Sequence, residues 1–394
     1  MSLSRVRWIV VTFAALAILI LLARPFLLGL SFVVRAADLK GVTRHAADLD
    51  AQSWYAKEVT VPSPRGSLHG RLYEPARAMN RAIVLTSGLH PAGIDEPRLV
   101  GLARQLAASG LAVFTPEVSE LSHFDITPAI TDRIEDSALW LVSHTEARRG
   151  RQVGLVGISF SGGLSVVAAG RDSLRGRVEF VLSFGGHDDL PRVLRYLCTG
   201  IEPPHPRALH LDTEAPPRAR PPHDYGVAII LLGVAERLVP SNQVEPLRVA
   251  VRRYLWASYL DRVDKARADE EFASLRDLAR RLPEPSSTLL TYVNNRDVVH
   301  LGARLLPFIA AYGGAAALSP SKSTKPSAPV FLLHGIDDNV IPAVESEYLA
   351  DDLRGHAPVR LLLSGLISHA EADRPIHATD VLALAGFWSD VLSR

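Results

Sequence analysis

The sequence predicts an α/β protein, a mostly parallel sheet with helices on both faces, opened by a β-hairpin and interrupted late by a long helical insertion. Three observations carry this. First, Lys57–Val61 and Leu68–Tyr73 flank the turn Pro62-Ser63-Pro64-Arg65-Gly66-Ser67, a hairpin signal. Second, six further strand-like runs follow: Ala82–Leu85, Leu111–Thr115, Val153–Ile158, Val178–Phe184, Val330–Leu333 and Val359–Leu363. Several are apolar nearly throughout, as strands covered on both faces must be. They alternate with Pro97–Ser109, Ala129–Arg148, Gly162–Ala169, Val344–Leu353 and Thr379–Leu392, whose apolar residues recur at helical spacing. Third, the alternation stops between His187 and Pro329.

The interrupting segment, about 140 residues, reads as helices that include Leu190–Leu197, Val244–Leu260 and Val263–Leu282. Its stretch Glu202–Pro222 holds seven prolines and reads as an extended surface loop. Leu318–Pro329 is a Ser/Lys/Pro linker back to the sheet. The segment is expected to lie over the carboxyl edge of the sheet, where open α/β folds bind ligands. A separate second domain is the alternative.

Composition narrows the function class. The chain has 394 residues, 47% of them hydrophobic and 22% charged, which is a globular balance. A net charge of +1, with no basic stripe interleaved with aromatics, excludes a polyanion partner such as nucleic acid. The single cysteine, Cys198, excludes an internal disulfide and any multi-cysteine metal site. Its neighbours Arg195-Tyr196-Leu197 place it on the apolar side of a helix as an inert thiol.

The amino terminus carries Arg5 and Arg7, then sixteen uncharged residues, Trp8–Ala23. Arg24-Pro25 interrupts the apolar run, and Phe26–Val34 resumes it. A span needs roughly 20 residues, so the expected membrane helix is Trp8–Val34 with Arg24 snorkelling. The basic residues ahead of it predict a cytoplasmic amino terminus and an extracytoplasmic body. Cleavage as a signal peptide is the alternative, with Val34 and Ala36 at the small-residue positions. A polar tether, residues 35–53, would follow.

The polar residues that chemistry needs lie just past strand ends. Past Leu85 come Ser87-Gly88-Leu89-His90. Past Val156 comes Gly157-Ile158-Ser159-Phe160-Ser161-Gly162, a strand, a sharp turn and a helix with a serine at the apex. Past Leu333 come His334-Gly335-Ile336-Asp337-Asp338, and past Leu363 comes a loop ending in Ser368-His369. A hydroxyl becomes a good nucleophile only with an imidazole to take its proton and a carboxylate to orient that imidazole. Serine, aspartate and histidine from successive sheet edges meet that need. His123, His187, His205, His300 and His334 lack the paired spacing of a zinc site, so no metal is expected.

On these residues the chain resembles the α/β-hydrolase fold family over roughly Lys57–His187 and Pro329–Arg394. The insertion resembles the variable lid that family members carry at this point. The resemblance implies Ser159 as nucleophile, with Ser161 in the place of the elbow's last glycine and as the alternative nucleophile. It implies Asp338 as the acid, in preference to Asp337, and His369 as the base. Asp188 and Asp189 offer a less usual acid position, against a reading in which they cap the first insertion helix. The backbone N–H groups of Phe160 and Leu89 would hold the oxyanion. His90 could add a contact or be an ordinary turn histidine, and His334 is read as structural. The function this implies is a cofactor-free serine hydrolase cleaving a carboxylic ester, or an amide or thioester, through an acyl-enzyme. Its substrate would be a small-molecule or lipid-like acyl ester. An acyltransferase with the same triad and a non-catalytic binding protein on this fold are the alternatives.

Overall fold

The computed structural model describes residues 23–77, 81–144, 152–206, 218–367 and 377–394. Eight strands form one sheet: β1 (Trp54–Val61), β2 (Leu68–Pro75), β3 (Ala82–Thr86), β4 (Ala112–Pro116), β5 (Val153–Ile158), β6 (Val178–Phe184), β7 (Val330–Gly335) and β8 (Val359–Ser364). Their order is β1-β2-β4-β3-β5-β6-β7-β8. β1 and β2 form the expected hairpin, and β2 pairs antiparallel with β4. Every other pairing is parallel. The central strands β3, β4 and β7 are buried at every residue, which is why their sequences are apolar on both faces.

One face is covered by α1 (residues 23–36), α3 (Pro97–Ala108) and α13 (Ala378–Leu392). α2 (Val42–Asp48) lies between the first two in the chain. The opposite face carries α4 (Ala129–His144), α5 (Phe160–Ala169) and α12 (Val344–Asp352). Between β6 and β7 the insertion contributes α6 (Leu190–Thr199), α7 (Tyr225–Val234), α8 (Ser241–Val263), α9 (Lys265–Ala279), α10 (Ser286–Asn294) and α11 (Val298–Leu305). Its apolar side chains join those of the sheet in one continuous cluster, from Leu155 and Val181 to Leu231 and Tyr254.

Two expectations change. Residues 26–34 were expected to be the second half of a membrane helix, but they belong to the domain. Phe32 is 0% exposed and its ring lies 4.2 Å from that of Trp388. Gly29 abuts Ala385 and Ser389 of α13 so closely that a side chain there would strike backbone. An apolar helical stripe suits a neighbouring helix as well as it suits lipid, and here α13 covers it. Among the described residues no helix is long and apolar enough to cross a membrane, and residues 1–22 lie outside them. Residues 35–53, expected to be a tether, are also tied down. Buried Arg35 donates to Ala47 O, Asp50 (2.6 Å) and Ser109 (2.9 Å), linking α1 to the segments around α2 and α3.

Candidate functional site

Ser159 stands between β5 and α5 at φ 55°, ψ −128°, a backbone state that side chains disfavour and that persists only when the surroundings hold it. The surroundings do so through small residues. A Cβ on Gly157 would run into the Ser161 carbonyl, and one on Gly162 would lie 2.6 Å from Ser183 Oγ. Ser161, in the place of a third glycine, is fully buried, and its hydroxyl donates to Ser87 O. It therefore pins the turn to the end of β3. Ser159 by contrast lines an open cavity.

The Ser87-Gly88-Leu89 turn runs alongside Ser159. A Cβ on Gly88 would lie 3.2 Å from Ser159 Cβ and 3.3 Å from Ile158 O, so a side chain there would press on the serine turn. Neither the Leu89 N–H nor the Phe160 N–H donates to another described residue. Next to them, His90 accepts the Ala92 N–H (3.2 Å) and meets Tyr259 edge-on at 5.0 Å. Burial lowers its basicity below that of an ordinary histidine.

Asp338, 1% exposed, sits in the loop after β7. Its Oδ1 accepts the N–H groups of Val340 (2.8 Å) and Ile341 (3.1 Å), and these two residues line the same cavity as Ser159. Asp337 lies outside, 3.5 Å from Arg220. His334 is held by Ser346 (2.6 Å) and Ile341 O (2.9 Å), a structural position. His369 lies outside the described residues. The described chain ahead of it runs beside the start of the acid loop: Ile336 N–H donates to Ser364 O (3.2 Å), and Ile367 O abuts Gly335.

The sequence reading missed how firmly the insertion grips this acid loop. Arg220 donates to Ile336 O (3.3 Å) and Asp338 O (3.4 Å) while paired with Glu202 (2.9 Å). The His223 N–H and the Tyr196 hydroxyl both reach Asn339 O. Arg220 and His223 fall in or beside the proline-rich stretch, where nothing in the sequence marks them. At the start of the insertion, Asp189 caps α6 by accepting the Arg192 N–H (2.9 Å). Arg192 bonds Asp188 (3.0 Å) and, twice, the fully buried Glu345 (2.6 and 3.0 Å). Burial pushes the Asp188 carboxyl up to about 7, the nearby charge of Glu345 adding to it against the pull of Arg192. His187 stacks on Phe160 at 5.1 Å.

The cavity over Ser159 has a volume of about 50 Å³. Leu89 and Ile126 contribute to its lining, with Leu190, Val193, Leu194 and Leu197 from α6 and Tyr225, Gly226, Ile229 and Ile230 from α7. Cys198 faces elsewhere in the core, its thiol pushed up to about 12 by burial. Among the described residues no group of three His, Cys, Asp or Glu side chains could hold a metal ion.

No family model and no curated protein matches this chain. Solved structures do. A hyperthermophilic esterase from the archaeon Pyrobaculum calidifontis is 13% identical, with 93% of this chain and 91% of that one covered and a TM-score of 0.45. Brefeldin A esterase, a bacterial homologue of human hormone-sensitive lipase, is 13% identical over 94% and 86%, with a TM-score of 0.44. A truncated carbohydrate esterase from gut microbiota is 12% identical over 88% and 98%, with a TM-score of 0.46. Likenesses this distant carry no argument about chemistry. The sheet order and the serine turn, read from the chain itself, are those of the α/β-hydrolase fold.

Proposed function

We propose that this protein is a serine hydrolase that cleaves a carboxylic ester through an acyl-enzyme. Ser159 attacks the carbonyl, and His369 takes the serine proton and returns it to the leaving alcohol. Asp338 orients His369 and steadies its charge. The Phe160 and Leu89 N–H groups receive the oxyanion, and water then releases the acyl group. The observation that carries the reading is the strained backbone of Ser159, held by glycine contacts beside a second close-approach turn and open to an apolar cavity. Such strain clusters at functional sites. An acyltransferase using the same residues is the second reading, favoured by the almost wholly hydrocarbon lining of the cavity.

We propose further that Arg5 and Arg7 hold the amino terminus in the cytoplasm and that the body lies outside it. Since residues 26–34 are committed to the domain, a membrane anchor would be confined to the sixteen uncharged residues Trp8–Ala23, against the roughly 20 a span needs. Protease access to the body in intact against lysed cells tests the orientation, and protection in intact cells contradicts it.

Hydrolysis of p-nitrophenyl esters by purified protein tests the activity. The expected result is a burst of p-nitrophenol that Ser159→Ala abolishes. Ester turnover unaffected by Ser159→Ala would overturn the assignment. Adding an alcohol acceptor separates the two readings by product.

A further inference from the structure

Resting on the hydrolase reading, we infer that the acyl part of the substrate is short and uncharged, and that the wall limiting its length belongs to the insertion. The cavity beside Ser159 is about 50 Å³. An apolar cavity of about 150 Å³ takes up a benzene ring, so this space corresponds to only a few heavy atoms, an acyl group of roughly acetyl to butyryl size. Apart from Ser159 and the Tyr225 hydroxyl, every lining side chain is hydrocarbon. A carboxylate or ammonium on the acyl chain would be buried there without a partner, which is strongly unfavourable.

The limiting wall is α6 against α7. Leu194 and Leu197 of α6 meet Ile229 and Ile230 of α7 around the cavity. Leu197 packs closely on α7, where a Cβ on Gly226 would lie 2.6 Å from Leu197 Cδ2. Leu197 is 7% exposed and Ile230 fully buried, so both belong to the packed core of the insertion. A longer acyl chain must displace packed side chains, and one misfitting methylene in an apolar pocket typically costs about tenfold or more in kcat/KM.

The test measures kcat/KM of the full chain on p-nitrophenyl acetate, butyrate, hexanoate, octanoate and decanoate, for the wild type, Leu197→Ala and Leu197→Phe. The wild type is expected to fall about tenfold or more between butyrate and octanoate. Leu197→Ala is expected to raise the octanoate-to-acetate ratio about tenfold, and Leu197→Phe to lower it. Unfolding temperature and fluorophosphonate labelling of Ser159 show which variants remain folded, and either substitution suffices. A wild-type profile that is flat or rises with chain length, or an unchanged ratio in a folded variant, overturns the inference while leaving the hydrolase reading intact. No ester turnover together with no labelling of Ser159 overturns both.

Discussion

The amino-terminal helix gives the sharpest stability prediction. Phe32, Val33, Val34 and Arg35 are 0%, 7%, 9% and 3% exposed, all within helix α1. Full burial of each of the three apolar side chains is worth about 1.5–3 kcal/mol, together roughly 5–9 kcal/mol. That sum is comparable with the whole net stability of a typical domain, about 5–15 kcal/mol. A cut after Ala36 would remove all three. It would also take Arg35 from Asp50, Ser109 and Ala47. A form cleaved there should therefore fail to fold, and the mature protein should retain α1. For a single substitution, Phe32→Ala loses the ring seated on Trp388 and leaves a cavity, a loss of about 3–5 kcal/mol. Denaturant unfolding of the full chain, wild type against variant, measures it. Sequencing the amino terminus of protein isolated from membranes tests the cleavage. A Phe32→Ala loss below about 1 kcal/mol, or a mature protein beginning at Ala37, would refute the argument that α1 is part of the fold.

Three other predictions follow from the site. Ser161→Ala removes the donor to the Ser87 carbonyl inside the core, so stability should fall by about 1–3 kcal/mol while fluorophosphonate still labels the protein; lost labelling in a folded variant would make Ser161 the nucleophile. Arg220→Met frees the carbonyls of Ile336 and Asp338, and Arg220 acts only through that loop. Its loss should lower kcat about 10- to 100-fold with KM nearly unchanged, Arg220→Lys restoring part, and kinetics like the wild type would remove Arg220 from the account. Asp188, with its folded-state value up at about 7 against 3.8 when unfolded, keeps a proton in the native state that the unfolded chain releases. Its contribution is therefore greatest below pH 4 and is lost as pH rises through 7. Asp188→Asn should gain on the wild type in denaturant midpoint between pH 4 and pH 8, and a wild type that gains on the variant over that range would contradict the sign.

The sheet was legible in the sequence because its strands are short apolar runs bounded by turns, and all eight lie where those runs fall. β1 begins at Trp54 rather than Lys57: Trp54 is half-buried with its ring 5.9 Å from that of Tyr73, while the exposed Tyr55–Glu58 that follow break the in-and-out alternation that marks a strand. Helix α7 escaped notice because Tyr225–Val234 is apolar all round and shows no amphipathic period. α8 and α9 are separated at Asp264, whose side chain caps α9. The amino-terminal segment misled for a physical reason: hydrophobicity records that a surface must be covered, not whether lipid or α13 covers it. At the site, Ser159 was legible from strand, glycine and helix context. The clamp of Arg220 and His223 on the acid loop was not, because it depends on a proline-rich segment folding back over residues more than a hundred positions away.

The most direct test of the central claim is to react the purified full chain with a fluorophosphonate and locate the adduct by peptide mass spectrometry. A covalent adduct on Ser159, formed much more slowly when either His369→Ala or Asp338→Asn is introduced, is the predicted result. An adduct at any other serine, or a rate indifferent to both substitutions, would contradict it.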